Sequence, residues 1–327
     1  SSALRWGYQV FFSEGLDTFV ADLQRARPTL FHSVPRLWVK FQQAVQAKLP
    51  AEKLQQLLSQ PETAEETRRQ VLTTLGLQDC RFAITGSAPL APSVQAWYRD
   101  LGLELLEGYG MTEDLAYSHL ARPGRARIGY VGDANDGVAR RIAENGEVQI
   151  QSPAQMLGYY KDPEKTAEAF TEDGWFRTGD LGEVDEEGRL KLTGRLKELF
   201  KTSKGKYVAP APIENRLGDP LIEVACVSGA NQTQPFVLIL PSALAQKMLE
   251  DGRGAELKTQ VELLLDRVNA ASDPHEELAF AVLVRGPWSI ENGMLTPTMK
   301  IKRNLIEKAY ADKVDSWYAA RQRVIVE

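Results

Sequence analysis

The stretch Gly174-Trp-Phe-Arg-Thr-Gly-Asp180 sets a carboxylate on a glycine-flanked turn, and Gly194-Arg195 and Thr202-Ser-Lys-Gly-Lys-Tyr-Val-Ala-Pro210 follow within a short span. A carboxylate offers about four lone-pair sites, so one Asp can accept hydrogen bonds from two neighbouring hydroxyls. A nucleotide ribose presents such a pair, and the three segments together point towards nucleotide chemistry. Glu107-Gly-Tyr-Gly-Met-Thr-Glu113 is the second cluster. It ends an apolar run that reads as a parallel strand, and open α/β sheets bind ligands at the carboxyl ends of such strands. Its glycines let backbone approach a ligand, Tyr109 offers a flat face to a purine, Thr112 a hydroxyl to a phosphate and Glu113 a hard oxygen to Mg²⁺. Taken alone, the loop reads as a turn with an aromatic plug and a solvated Glu; its neighbours in the sequence argue for more.

These groups need elements to hold them. Residues 1–12 read as a strand with no helix cap before it, as though the chain began in mid-domain. Residues 16–27 have helical spacing, with Leu16, Phe19, Val20 and Leu23 on one face, and 29–34 read as a buried strand containing His32. Leu37, Trp38, Phe41 and Val45 repeat at helical spacing over 35–49, and the Gln- and Glu-rich stretch to about Gln70 reads as polar helix or surface insertion without visible chemistry. A strand at 81–85 ending at Gly86, a helix at 91–101 and a strand at 103–106 ending at Gly108 predict a parallel α/β sheet.

From Gly129 onward short strands split by turns such as Asn145-Gly146 and Glu186-Glu-Gly188 predict an antiparallel sheet or small barrel. After Arg195 a strand, a Lys204-Gly205 turn and a second strand lead into a helical run at 212–217. Strands at 224–227, 236–240 and 280–284 then alternate with amphipathic helices near 243–250 and 256–270. The expected fold class is α/β: a partial large domain of mixed parallel sheet over 1–128 plus a small β-barrel-like subdomain over 129–196, followed by a compact α+β carboxyl-terminal domain over 197–327. The junction falls at Arg195 to Lys197.

Composition narrows the function classes. A net charge of −5 on 327 residues lacks the basic surplus of a general nucleic-acid binder. Cys80 and Cys226 lie far apart in apolar runs and read as buried reduced thiols, not as a disulfide framework or zinc pair. No apolar run approaches the roughly 18 residues of a membrane helix. The expected location is cytoplasmic, with peripheral association at the inner membrane face left open for a lipid substrate. His32, His119 and His275 carry no metal-ligand or triad spacing, and Trp175 and Phe176 read as core packing.

The ordered segments Thr85-Gly-Ser-Ala-Pro89, Gly108-Tyr-Gly-Met-Thr-Glu113, Gly174 to Gly182, Gly194-Arg195 and Leu295-Thr-Pro-Thr-Met-Lys300 resemble the adenylate-forming superfamily of acyl-CoA synthetases, luciferases and peptide-synthetase adenylation domains. Val34-Pro-Arg36, Lys206-Tyr-Val-Ala-Pro210 and the Thr-Pro-Thr-x-Lys ending are most similar to its long-chain fatty acyl-CoA synthetases. The resemblance implies ATP/AMP, Mg²⁺, CoA and a fatty acid as ligands, and no nucleic acid. It implies that Gly86, Ser87 and Ala88 line an adenine pocket with Gly108 and Tyr109, and that Gly110 and Met111 continue the nucleotide loop. Thr112 would touch the α-phosphate, Glu113 would hold Mg²⁺, Asp180 would take the ribose hydroxyls and Arg195 would contact ribose or phosphate. Lys197 matches the hinge of the family's small domain and Lys300 its adenylation lysine. As a carboxylate attacks the α-phosphate, charge grows on phosphoryl oxygens, and an ammonium with Mg²⁺ stabilises it without a protein nucleophile.

Thr202-Ser-Lys-Gly-Lys206 lacks the phosphate-loop spacing and precedes a strand, so it reads as a hairpin turn. The resemblance turns this hairpin towards the site for thioester formation, making Lys204, Gly205 and Lys206 candidate CoA contacts. The family's Ser/Thr/Gly-rich loop ending in Pro-Lys-Gly finds no match between Ser1 and Gly108. The expectation is therefore a carboxyl-terminal part of such an enzyme, impaired on its own, with a sheet edge that favours a homodimer. Two alternatives stand beside it. One is an adenylating enzyme loading an acyl or aminoacyl group onto a carrier protein, disfavoured by a chain that ends soon after Lys300. The other is a non-catalytic nucleotide-binding or interaction module, against which the joint presence of Glu113, Asp180, Arg195 and Lys300 argues.

Overall fold

Leu30–Ser33 (β1), Phe82–Gly86 (β2) and Leu105–Tyr109 (β3) pair in parallel, and His119–Leu120 (β4) and Asp133–Ala134 (β5) add antiparallel strands, giving the order β1-β2-β3-β4-β5. The computed structural model describes residues 5, 7–15, 18–296 and 300–327. Helices Phe19–Ala26 (α1), Pro35–Gln46 (α2), Ala51–Ser59 (α3), Pro61–Leu75 (α4) and Pro92–Asp100 (α5) accompany this sheet. Three of them start on a proline, whose missing N–H is no loss in a first helical turn. Trp38 of α2 and Tyr98 of α5 are fully buried, and the Tyr98 hydroxyl donates to the Trp38 carbonyl at 2.7 Å. The Gln- and Glu-rich stretch thus resolves into α3 and α4, which bury Leu54 and Val71 in the same core.

Four local expectations are corrected. β1 is not buried: as the terminal strand with one neighbour it leaves Leu30 44% exposed and His32 exposed. Residues 8–13 are irregular, with Phe12 exposed, because no strand among the described residues pairs with them; Ser1 to Leu4, Trp6 and Leu16 lie outside the described residues. Val20 falls on the exposed side of α1 while Leu23 packs inward. Cys80 is half-buried, where Cys226 is fully buried.

Ala139–Ile142 (β6), Glu147–Gln151 (β7), Phe176–Val184 (β8) and Leu190–Arg195 (β9) form a curled antiparallel sheet in that order, with tight turns at Asn145-Gly146 and Glu186 to Gly188. Pro163–Ala169 (α6) precedes β8 and is capped by Asp162, which accepts the Lys165 N–H at 3.0 Å. Residues 1–140, 150–176 and 184–191 form one compact unit; 141–149, 177–183 and 192–327 form a second.

In the second unit Phe200–Lys201 (β10) and Tyr207–Val208 (β11) make a hairpin that leads into Pro210–Arg216 (α7). Ile222–Ser228 (β12) pairs antiparallel with Phe236–Pro241 (β13), and Ala281–Leu283 (β14) and Val324–Val326 (β15) continue in parallel. Successive side chains of a strand face opposite sides, and β13 shows it. Val237 and Ile239 pack towards Ala243–Glu250 (α8) and Gly254–Ala270 (α9), while Phe236 and Leu238 pack towards Arg303–Tyr310 (α10) and Val314–Ala320 (α11). This is the α+β arrangement expected for the carboxyl-terminal part.

Candidate functional site

The parallel register of β2 and β3 sets Gly86 opposite Gly108, so the loops that leave both strands start side by side. A Cβ on Gly86 would stand 3.1 Å from the Gly108 carbonyl oxygen, which explains the small residues there. Ser87, exposed at the tip of its loop, has φ 69°, a conformation that costs a non-glycine residue and persists where surroundings fix it. Beyond β3 the chain folds back in one tight turn, Thr112–Asp114, in which Asp114 Oδ1 accepts the Met111 N–H at 2.9 Å. Gly110 is required here, because a Cβ would lie 2.5 Å from Ala116 Cα. Asp114 is fully buried, and burial, ahead of its hydrogen bonds, pushes its carboxyl up.

This turn leaves Thr112 exposed and Glu113 half-buried. Tyr159 donates its hydroxyl to Glu113 Oε1 at 2.9 Å, and the Glu113 carbonyl accepts the Met156 N–H at 2.7 Å. The Tyr109 ring is largely buried, with the His119 ring centroid at 6.1 Å. Arg140 donates to His119 Nε2 at 3.0 Å, which makes Nε2 the acceptor and Nδ1–H the donor to Ser118 Oγ at 2.7 Å. Burial, and then the Arg140 charge, push this imidazole down to about 3, so it stays neutral.

The second unit holds the other group. Thr178 donates its hydroxyl to the Val148 carbonyl at 2.6 Å and accepts the Asp180 N–H at 3.1 Å, setting the turn that carries Asp180. Asp180 is buried, and Arg195 Nε donates to its Oδ1 at 2.6 Å from a side chain that is 60% exposed. Lys197 and Glu198 follow in a single tight turn, Leu196–Glu198. Lys300 sits on a narrow loop closed by the Leu295 and Ile301 bridge; its N–H donates to Thr296 Oγ1 at 3.0 Å and its carbonyl accepts the Thr296 N–H at 2.8 Å. Pro297, Thr298 and Met299 of the motif lie outside the described residues. Partial desolvation, then the Arg195 guanidinium, push the Lys300 ammonium down, opposed by Asp180 and Glu198. Asp180, Arg195, Glu198 and Lys300 thus share one electrostatic neighbourhood.

Family models match both halves of this arrangement: one for AMP-binding enzymes over residues 2–160 and one for the AMP-binding enzyme C-terminal domain over 198–322. The chain belongs to the AMP-binding enzyme family. It is 34% identical to the long-chain-fatty-acid–CoA ligase FadD15 of Mycobacterium bovis over 73% of this chain and 42% of the ligase. It is 30% identical to human long-chain-fatty-acid–CoA ligase 1 over 94% of this chain and 50% of that protein. The chain therefore spans about half the length of such relatives. The A domain of carboxylic acid reductase from Segniliparus rugosus, solved with AMP and a co-purified carboxylic acid, superposes with a TM-score of 0.74 at 26% identity, over 95% of this chain and 50% of the other. The fold is that of an adenylation domain.

The remaining motif residues of this AMP-binding family member fall in turns and in the core. Lys204, Gly205 and Lys206 form the exposed β10 to β11 turn, with Gly205 at φ 78°. Phe176 is buried against Phe170, and Trp175 is half-buried. No helix among the described residues is long and apolar enough to cross a membrane. A Mg²⁺ ion usually keeps several waters and binds one or two carboxylates plus substrate phosphates, which suits a lone Glu113. Among the described residues no group of three or more His, Cys, Asp or Glu side chains could cage a metal by itself.

Several residues that shape the site escaped sequence reading. Tyr159 is one, although the Gly158-Tyr-Tyr160 run was a visible signal. Arg303, three residues past Lys300, is another. Its guanidinium pairs with both carboxylate oxygens of Glu214 at 2.7 and 3.0 Å, donates to the Val227 carbonyl at 2.7 Å and lies 3.7 Å from Glu198. His119 carried no signal at all: its partners are its neighbour Ser118 and Arg140, 21 residues on.

Proposed function

We propose that this chain carries the nucleotide loop, the ribose carboxylate and the lysine of an ATP-dependent fatty acyl-CoA synthetase. In that reaction a fatty carboxylate attacks the α-phosphate of ATP, releasing pyrophosphate and forming an acyl-adenylate; the CoA thiol then displaces AMP and leaves acyl-CoA. The observation that carries the reading is the grouping of Asp180, Arg195 and Lys300 in one neighbourhood, a buried acceptor beside two cations. Asp180 would accept from the ribose hydroxyls, with Arg195 moving from Asp180 to ribose or phosphate. Lys300 would face the α-phosphoryl oxygens where charge develops. Gly86, Ser87, Ala88, Gly108, Tyr109, Gly110 and Met111 would form the adenine side, and Thr112 would donate to the α-phosphate.

Glu113, presented by Tyr159, would hold Mg²⁺, which when bound neutralises phosphate charge. The domain division at 128 and 196 and a rotation about Lys197 belong to this proposal, as do CoA contacts at Lys204, Gly205 and Lys206. The fatty substrate is supported by 30–34% identity to long-chain ligases.

A second reading is favoured by one observation: the adenylation domains of carboxylic acid reductases, one of them solved together with its PCP domain, superpose at a TM-score of 0.74. On that reading the acyl group passes to a carrier protein instead of CoA. Calorimetry with AMP and with CoA, followed by acyl transfer assays offering CoA or a pantetheinylated carrier, tests both. AMP binding with transfer to CoA is the expected result. Transfer to the carrier alone would select the second reading, and no affinity for AMP would overturn both.

A further inference from the structure

Glu107 is a buried carboxylate that the adenylation reading leaves unused. It stands on β3 opposite Thr85, one residue before Gly108, and is 5% exposed. Its Oε1 accepts the Leu90 N–H at 3.2 Å and its Oε2 accepts from Gln95 Nε2. Gln95, also buried, turns its Oε1 to the Gly129 N–H at 2.9 Å. Both ends of this relay are backbone donors and cannot be reversed. Gln95 must accept from Gly129 and donate to residue 107, so residue 107 must accept at both oxygens. A carboxylate does this. A glutamine there would set its NH₂ against either the Gln95 NH₂ or the Leu90 N–H.

We propose that Glu107 is a positioning residue for nucleotide binding: it pins the Gly86-Ser-Ala-Pro89 loop at Leu90 and ties it through Gln95 to the turn at Gly129. The inference rests on the nucleotide reading of these loops. Ser87 at φ 69° needs a surrounding that fixes it, and the Leu90 anchor lies three residues on. On the elements packed around Glu107 the ionisable groups are Arg99 and Asp100 of α5, Glu104, Arg127 and His119. Arg99 donates to the Ala126 carbonyl, Glu104 accepts from Gly124, Arg127 pairs with Asp185, and His119 is kept neutral by burial and then by Arg140. Burial raises Glu107 from 4.5 to about 7. The Leu90 and Gln95 N–H donors oppose that rise, so the contacts that anchor the loop hold the ionised form.

Amide exchange at Leu90 and calorimetry with AMP, on wild type and Glu107→Gln, test the inference. In wild type the Leu90 amide, held by Glu107 Oε1, should be protected from exchange. In Glu107→Gln that protection should fall, and AMP should bind about tenfold more weakly. Amides of Ala83 and Leu106 in the strands should stay protected. Equal AMP affinity with equal Leu90 protection in the two proteins would overturn the inference and leave the nucleotide reading standing. Wild type that binds no AMP would overturn the nucleotide reading, and Leu90 exchange would then decide the anchor by itself. The wild-type measurement needs no variant, so an unprotected Leu90 amide overturns the anchor even if Glu107→Gln fails to fold.

Discussion

Arg195 Nε lies 2.6 Å from Asp180 Oδ1, an exposed guanidinium closing over a buried carboxylate. The two are separated by fifteen residues of β8, a turn and β9, so the pair reports the pairing of those strands as much as it reports a site. As a stability element it is weak, since one partner is 60% exposed and solvent screens it. On the proposed reading it is a ribose acceptor covered by that exposed side chain.

Asp180→Ala should therefore cost binding more than folding. Hydrogen bonds to a charged group are worth about 1.5–3 kcal/mol, so AMP affinity should fall roughly 10- to 150-fold while the melting temperature changes little. Calorimetry with AMP beside a thermal melt measures both. Undiminished affinity would remove Asp180 from the site.

Lys300→Ala separates chemistry from binding. If its ammonium meets charge that develops only in the transition state, adenylate formation should slow by about 10²–10³-fold with AMP affinity held within about twofold. Single-turnover formation of acyl-adenylate, with AMP titrations alongside, checks the split. A parallel loss in both would make Lys300 a ground-state contact.

Glu113 and Tyr159 can be told apart by magnesium. Glu113→Gln should raise the Mg²⁺ concentration needed for ATP binding by about tenfold or more, and Tyr159→Phe by a few-fold, because the hydroxyl only aims the carboxylate. Mg²⁺ titrations of ATP binding give both numbers. Equal effects would assign the ion to another group.

His119 and Glu107 pull the dependence of stability on pH in opposite directions. His119, lowered from 6.5 to about 3 by burial and Arg140, contributes fully above 6.5 and loses its contribution as pH falls towards 3. Glu107, raised from 4.5 to about 7 by burial, contributes fully below 4.5 and loses its contribution as pH rises to about 7. Between 4.5 and 6.5 their slopes cancel. Relative to wild type, His119→Asn should lose stability as pH rises across that window and Glu107→Gln should gain it. Thermal melts at half-unit pH steps measure this, and parallel curves for the three proteins would refute the assignment.

Gly110→Ala should weaken AMP binding through backbone displacement. The new Cβ meets Ala116 Cα at 2.5 Å, and overpacking of this kind costs typically 1–3 kcal/mol. A melting temperature equal to that of wild type would show that the loop gives way freely.

The fold was legible wherever periodicity and punctuation agreed. Trp38, Phe41 and Val45 declared α2, and Asn145-Gly146 and Glu186 to Gly188 declared their turns. Exposure was harder: the run 29–34 is as apolar as a central strand, and only the strand order shows β1 at an edge. The motif segments stood out because closely spaced glycines mark turns and close backbone approach. Their supports were not. Tyr159 lies 46 residues from Glu113, Glu214 lies 89 residues from Arg303, and Glu107 reaches Gln95 across a helix. Such pairs leave no periodic trace, since each depends on where two distant segments finally meet.

The buried grip on Arg303 turns a short stretch of chain into a ruler. With its guanidinium fixed to Glu214 and Val227, Lys300 can stand no farther than about 11 Å from Arg303 along three residues of backbone. What must be kept there is chain length more than side-chain identity. One residue inserted between Lys300 and Arg303 should disable the lysine more thoroughly than most substitutions of Ile301 or Lys302, and deletion scanning through this stretch should show a sharp boundary at Arg303.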